Sequence, residues 1–171
     1  MIKIVEYKNN KKVLVKLIEE LQDYLIQMDP LKRLRRLPEY GEIYTDNLLK
    51  KIKKHKGIIY IAEIENIPVG MVVGIIEDYT KNDEIESIPS KTARILELIV
   101  SEKYRGKNIG SLLMQSIERY FQKQGCDIIR IAVFAPNTKT HSFYQKLNYQ
   151  DRVIDMVKSF HNNTHEHKNF N

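Results

Sequence analysis

ILELIVSEKYRGKNIGSLLMQSIERYF, residues 95–121, passes from a strand through a short glycine-containing turn into a helix. Ile95 to Val100 is a near-continuous apolar run of strand length. Beyond the turn, Leu113, Ile117, Tyr120 and Phe121 recur at helical spacing, and Gly125 stands where a left-handed residue caps a helix end. The turn itself reads Arg105-Gly106-Lys107-Asn108-Ile109-Gly110-Ser111. A strand that runs abruptly into a helix exposes the first N–H groups of that helix, which have no intrahelical acceptor. Those donors and the positive end of the helix dipole suit a phosphate or pyrophosphate. Gly106 and Gly110 allow close approach of the backbone, although an ordinary helix start that contains two glycines reads the same way. The turn lacks the Gly-Lys-Ser/Thr ending of a nucleotide phosphate loop and the three-glycine dinucleotide spacing. It points to a phosphorylated ligand of another kind.

Outward from that segment, the apolar pattern alternates between periods of two and of three to four residues. Ile2–Tyr7 reads as a strand, and Leu14 to Met28 as a helix ended by Asp29-Pro30. A second helix is expected over about 44–54. Strands follow at 58–64 and 69–76, joined by a tight turn at Glu65-Asn66. Residues 77–91 read as a polar loop, 128–134 as a strand, 137–147 as a short helix and 149–160 as a final extended segment. The expected fold is α/β, a mixed, mostly antiparallel central sheet with helices on both faces. A single domain is expected over 1–160, with a frayed polar tail at 161–171.

The 171 residues suit one domain, and 42% hydrophobic with 29% charged residues is ordinary globular composition. Cys126 is the only cysteine, which rules out an internal disulfide and favours a reducing, cytoplasmic setting. No apolar run approaches the roughly 20 residues of a membrane span, and the N-terminus is too polar for a signal peptide. The net charge of +6 is compatible with phosphate-bearing ligands. Nucleic-acid binding is disfavoured because the basic residues are scattered among acids. His161, His165 and His167 lack the cysteine or carboxylate partners expected of a metal site, so no metal is expected.

The segment at 95–121, followed by NTKTHSFYQKLNY at 137–149, resembles the GNAT superfamily of acetyl-CoA-dependent N-acetyltransferases. Arg105, Asn108 and Gly110 match its Gln/Arg-x-x-Gly-x-Gly/Ala motif, with Asn108 in a usual glycine slot. Asn137 with Phe143-Tyr144 matches its second block, and Asn148 replaces a glycine in the turn after it. Asn is the non-glycine residue that best tolerates left-handed backbone, so both replacements conserve the geometry.

The resemblance implies acetyl-CoA as cosubstrate, held by residues 105–111, Asn137 and the strand backbone at Leu98, Ile99 and Val100. It also implies a backbone N–H near Val100 for the oxyanion, and Tyr144 as general acid for the departing thiolate. The rival reading of Tyr144 is a core aromatic, and of Asn137 an ordinary N-cap. Glu97, the only ionisable residue inside its strand, is costly to bury unpaired and is the candidate general base. An ion pair with Arg94 or Arg130 is its alternative role.

The acceptor implied is a primary amine, most simply of a small molecule. The alternatives are acetylation of a protein lysine or N-terminus and a noncatalytic acyl-CoA-binding module. An acidic lip at 77–91 would attract a cationic amine, and the basic run Lys32, Arg33, Arg35 and Arg36 an anionic one; either could be plain solvated surface. A homodimer is a family-level expectation.

Overall fold

The computed structural model describes residues 1–160. Its elements run β1 (Ile2–Glu6), α1 (Lys11–Met28), α2 (Tyr40–Lys54), β2 (Ile58–Ile64), β3 (Ile67–Ile76), α3 (Lys81–Glu86), β4 (Thr92–Val100), α4 (Ile109–Lys123), β5 (Ile128–Arg130) and α5 (Thr138–Lys146). The strands lie in the order β1-β2-β3-β4-β5; all neighbours are antiparallel except β4 and β5, which are parallel. The expected mixed sheet is therefore present.

Each face of the sheet is covered. Leu113, Met114, Ile117 and Phe121 of α4, with Tyr144 of α5, pack on Ala62, Val72, Ala93 and Ile95. Leu14, Leu17 and Ile18 of α1, with Leu48 of α2, pack on Ile59, Ile61, Met71, Val73 and Ile99. This is why β3 is an unbroken apolar run buried from Val69 to Ile76. At Glu65 and Asn66, φ is 52° and 63°, the two left-handed residues of a primed hairpin turn.

Four expectations are corrected. The second helix begins at Tyr40, four residues early. The 77–91 stretch contains α3, started by a capping box in which Thr80 and Asp83 bond reciprocally. The strand expected at 128–134 stops at Arg130. Among the described residues, 149–160 enter no ladder: Asp151 is held by His141 of α5 at 2.6 Å, and Val153, Ile154, Met156 and Val157 are 57–87% exposed. With β5 only three residues long, there is little edge for a further strand to join. The histidines at 161, 165 and 167 and the expected tail lie outside the described residues.

Candidate active site

Beyond Arg94, β4 has no partner on its β5 side among the described residues, because that ladder ends at Arg94↔Arg130. The chain leaves the sheet at residue 131, so the second half of β4 is unpaired on the side of the segment leading to α5, and this unpaired edge is the β4 slot. Leu98, Ile99 and Val100 form the β4 wall and remain paired with Val72, Met71 and Gly70 on the other side. The Val100 carbonyl accepts from Arg105 Nε at 3.0 Å. It thus points away from β3, and strand alternation puts the Val100 N–H on the slot side too.

A bulge shapes this strand. Val73 faces Glu97 and Gly74 faces Ile95, so Leu96 is an extra residue on β4. Ile95 packs toward α4, Leu96 and Ile99 toward α1 and α2, and Leu98 and Val100 toward α4. The extra residue reverses the alternation and leaves Glu97 under α2, where the Tyr44 hydroxyl donates to its Oε1. Burial pushes the Glu97 carboxyl above its ordinary range, while Tyr44 and the charge of Lys51 pull it back. The expected alternative partners of Glu97 are engaged elsewhere: Arg94 and Arg130 pair with Glu77 at 2.5 and 3.6 Å.

At the end of β4 the loop makes two left-handed steps, Gly106 at φ 76° and Asn108 at φ 62°. Asn108 then precedes α4, and the N–H groups of Ile109, Gly110 and Ser111 have no acceptor among the described residues. Beside them lies a hollow of about 230 Å³ lined by Asn108, Ser111, Leu112, Gln115, Glu118 and Leu147. A Cβ on Gly106 would meet nothing within 4 Å, whereas one on Gly110 would lie 3.3 Å from the Phe143 ring. Gly106 therefore supplies backbone freedom, and Gly110 supplies close packing of α4 on α5. Lys107 Nζ lies over the Tyr104 ring at 5.3 Å. Free N–H groups beside an open hollow fit the pyrophosphate of a CoA ester; Arg105 and Lys107 belong to the turn and not to the lining of the hollow, whose one charged residue, Glu118, accepts from the Tyr149 hydroxyl at 2.9 Å.

The far side of the slot carries the second block. The Asn137 side chain caps α5, accepting from Thr140 N at 3.3 Å, and also accepts from the Tyr24 hydroxyl at 3.1 Å. Asn148 has φ 66° and closes α5 in the left-handed cap expected of it. Tyr144 is 6% exposed, and its hydroxyl makes no hydrogen bond among the described residues. Burial and then the Glu97 charge push that hydroxyl's pKa upward, so the phenol stays protonated through the neutral range. The two candidate reacting groups, on different elements, thus feel each other electrostatically.

Sequence reasoning missed three participants. Tyr44 and Tyr40, one helical turn apart, stack at 5.4 Å beside Glu97, and Tyr24 carries the Arg105 guanidinium over its ring at 4.7 Å. The i,i+4 tyrosine pair was the only available signal. The acidic lip is largely spent on structure: Glu77 holds two arginines, Asp83 caps α3, and Asp78 meets His55 at 3.3 Å. In the basic run, Arg36 is bound by Asp23 at 2.6 and 3.0 Å. A cleft of about 400 Å³ lies along α1, where the carboxylates of Glu19, Glu20, Asp23 and Glu102 outnumber Lys16, Arg36 and Arg105.

No helix of the described residues is long and apolar enough to cross a membrane, and none of their His, Cys, Asp and Glu side chains cluster as a metal site.

Residues 15–149 match the model of the acetyltransferase (GNAT) family. An uncharacterized N-acetyltransferase of Methanocaldococcus jannaschii is 30% identical over 56% of this chain and 54% of its own. A second from that organism is 26% identical over 60% of this chain and 43% of its own. The chain spans about half the length of these two relatives. An N-alpha-acetyltransferase of Sulfurisphaera tokodaii is 24% identical over 74% of this chain and 77% of its own. Among solved structures, glucosamine-6-phosphate N-acetyltransferase from Arabidopsis thaliana superposes with a TM-score of 0.65 at 18% identity, covering 94% of this chain and 99% of that one. An aminoglycoside N-acetyltransferase in complex with CoA gives 0.63 at 19%, covering 92% and 95%. At these identities the structures show a shared fold.

Proposed function

This chain belongs to the GNAT family of acetyltransferases, and from that premise we propose that it moves an acetyl group from acetyl-CoA to a primary amine of a small molecule. The observation that carries the reading is the end of the β4–β5 ladder at Arg94↔Arg130, which leaves the backbone edge at Leu98, Ile99 and Val100 unpaired next to the free N–H groups that start α4.

Bound acetyl-CoA supplies an activated thioester. The loop at 105–111 and the start of α4 hold the pyrophosphate, and the open backbone edge at Leu98, Ile99 and Val100 pairs with the arm. The Val100 N–H, fixed by β4 and turned toward the slot, is placed to stabilise negative charge developing on a carbonyl oxygen. Glu97, raised by burial, takes a proton at its unbonded Oε2 from the substrate ammonium, and the freed amine lone pair attacks the thioester carbonyl. Tyr144, held neutral by burial and the Glu97 charge, gives its proton to the departing thiolate. The thiolate, whose parent thiol has a pKa of about 8.5, is a weaker base than this phenolate, so the transfer runs uphill and is completed as the second proton of the amine nitrogen restores the phenol.

The cleft along α1 has four carboxylates against three basic residues, and because Asp23 already holds Arg36 and Glu20 holds Ser101 this leaves only a slight bias toward a cationic acceptor. The similarity to an N-alpha-acetyltransferase supports a second reading, in which the amine is a protein N-terminus. Free-thiol release is the test, with acetyl-CoA and a panel of diamines, amino sugars, amino-acid amides and short peptides. Turnover with small amines and none with peptides supports the first reading, and the reverse supports the second. Release no faster than acetyl-CoA hydrolysis for the whole panel contradicts both and leaves a noncatalytic acyl-CoA-binding module.

A further inference from the structure

We propose that Tyr44 is a positioning residue for Glu97: from α2 it fixes one oxygen of the carboxylate and leaves the other facing the acceptor. The inference rests on Glu97 acting as the base. A phenol has a single hydrogen to donate, and that of Tyr44 goes to Glu97 Oε1. Oε2 has no hydrogen-bond partner among the described residues and is the oxygen left to receive a proton.

Tyr44 is itself braced. Its ring stacks on Tyr40, one turn earlier on α2. The Tyr40 hydroxyl donates to Gln22 Oε1 at 3.0 Å, and Gln22 Nε2 donates to the Arg35 carbonyl at 3.0 Å. Gln22 is 8% exposed, so the middle of this relay is buried in the contact between α1, α2 and the connection joining them, while its Arg35 end is exposed. The chain of partners runs from backbone to base without a free rotor. At the bulge, where β4 alternation fails, such bracing decides where a long flexible carboxylate points.

The titratable groups acting on Glu97 are Tyr44, Tyr40 and Lys51 of α2 and Tyr144 of α5, while its β3 partner is Val73. Donation by Tyr44 favours the charged carboxylate, so its removal raises the pH at which Glu97 ionises.

The experiment compares the pH dependence of kcat/KM for wild type, Tyr44→Phe and Glu97→Gln with one accepted amine. Phenylalanine keeps the stack on Tyr40, and circular dichroism confirms that each variant is folded. In Tyr44→Phe the acidic limb should move to higher pH and kcat should fall about ten- to a hundredfold, with acetyl-CoA KM nearly unchanged. A purely structural tyrosine would lower activity at every pH alike and leave the limb in place. An unmoved limb overturns the proposal. If Glu97→Gln has then lost the limb, the base reading survives alone; if Glu97→Gln keeps it, both readings fall.

Discussion

Tyr24 of α1 donates its hydroxyl to Asn137 at the start of α5, joining at 3.1 Å two helices that lie on opposite faces of the sheet. Such a bond is possible only where the sheet is open, past the last pair of β4 and β5. The same Asn137 oxygen accepts from Thr140 N and so caps α5. Asn137→Ala removes both interactions and should cost about 1–3 kcal/mol, whereas Tyr24→Phe removes one and should cost about 0.5–1.5 kcal/mol. Urea unfolding of both variants checks this. A loss in Asn137→Ala no larger than in Tyr24→Phe would show that the cap contributes nothing.

Asn108 precedes α4 at φ 62° beside the free N–H groups. Asn108→Asp is nearly isosteric, tolerates left-handed backbone, and puts a negative charge where a helix N-terminus welcomes one. The apo protein should be as stable as wild type or slightly more so, yet the charge would repel a pyrophosphate. Acetyl-CoA at about 100 times the wild-type Kd should stabilise wild type by about 2.7 kcal/mol and the variant much less. Equal thermal shifts in the two proteins would place the phosphates elsewhere. Gly110, the more obvious target, is a poor probe because Phe143 fills the space its Cβ needs.

Gly74 lies on β3 beneath Phe121, and a Cβ there would meet the ring at 2.8 Å and the Arg94 carbonyl at 3.0 Å. Gly74→Ala should therefore destabilise by about 1–3 kcal/mol through overpacking. Shrinking the ring in the double variant with Phe121→Leu should give an effect less than the sum of the single ones. Additive losses in denaturant melts would mean that the two sites do not share this space.

The Asp29 carboxylate accepts from the backbone N–H groups of Leu31, Arg33 and Leu34 at 3.0, 2.6 and 2.8 Å. These bonds, that of Leu34 foremost, hold its carboxyl below the usual range. A depressed folded-state pKa gives stability that is present above the unfolded value of about 3.9 and lost as pH falls through the folded one. The stability gap between wild type and Asp29→Ala should be full near neutrality and narrow in acid below about pH 4. A gap independent of pH in urea melts would remove the charge from that account.

The strand-to-helix passage at 95–121 was readable because its apolar spacing changes period across a glycine turn, and tertiary packing reinforces each half. Asn137 and Asn148 were readable for the same local reason, a cap at each end of α5. The bulge at Leu96 was not, because it is a property of the β3–β4 register and leaves no trace in a run reading LEL. Tyr44 and Tyr24 reach the site from α2 and α1 across 53 and 113 residues of chain to their partners, a separation at which spacing carries no signal. The 149–160 stretch has strand-like composition, yet pairing needs an edge, and β5 offers three residues.

The most direct test of the account is Tyr144→Phe, which deletes one buried hydroxyl and keeps the ring packed against Phe143 and Tyr149. Steady-state kinetics with the accepted amine should show kcat and kcat/KM falling together by roughly 10²–10⁴-fold. Titration of acetyl-CoA should show its affinity little changed, since the proposed binding contacts lie on the loop and β4. A well-folded Tyr144→Phe protein with near-normal kcat would contradict the assignment of Tyr144 as the group that protonates the leaving thiolate.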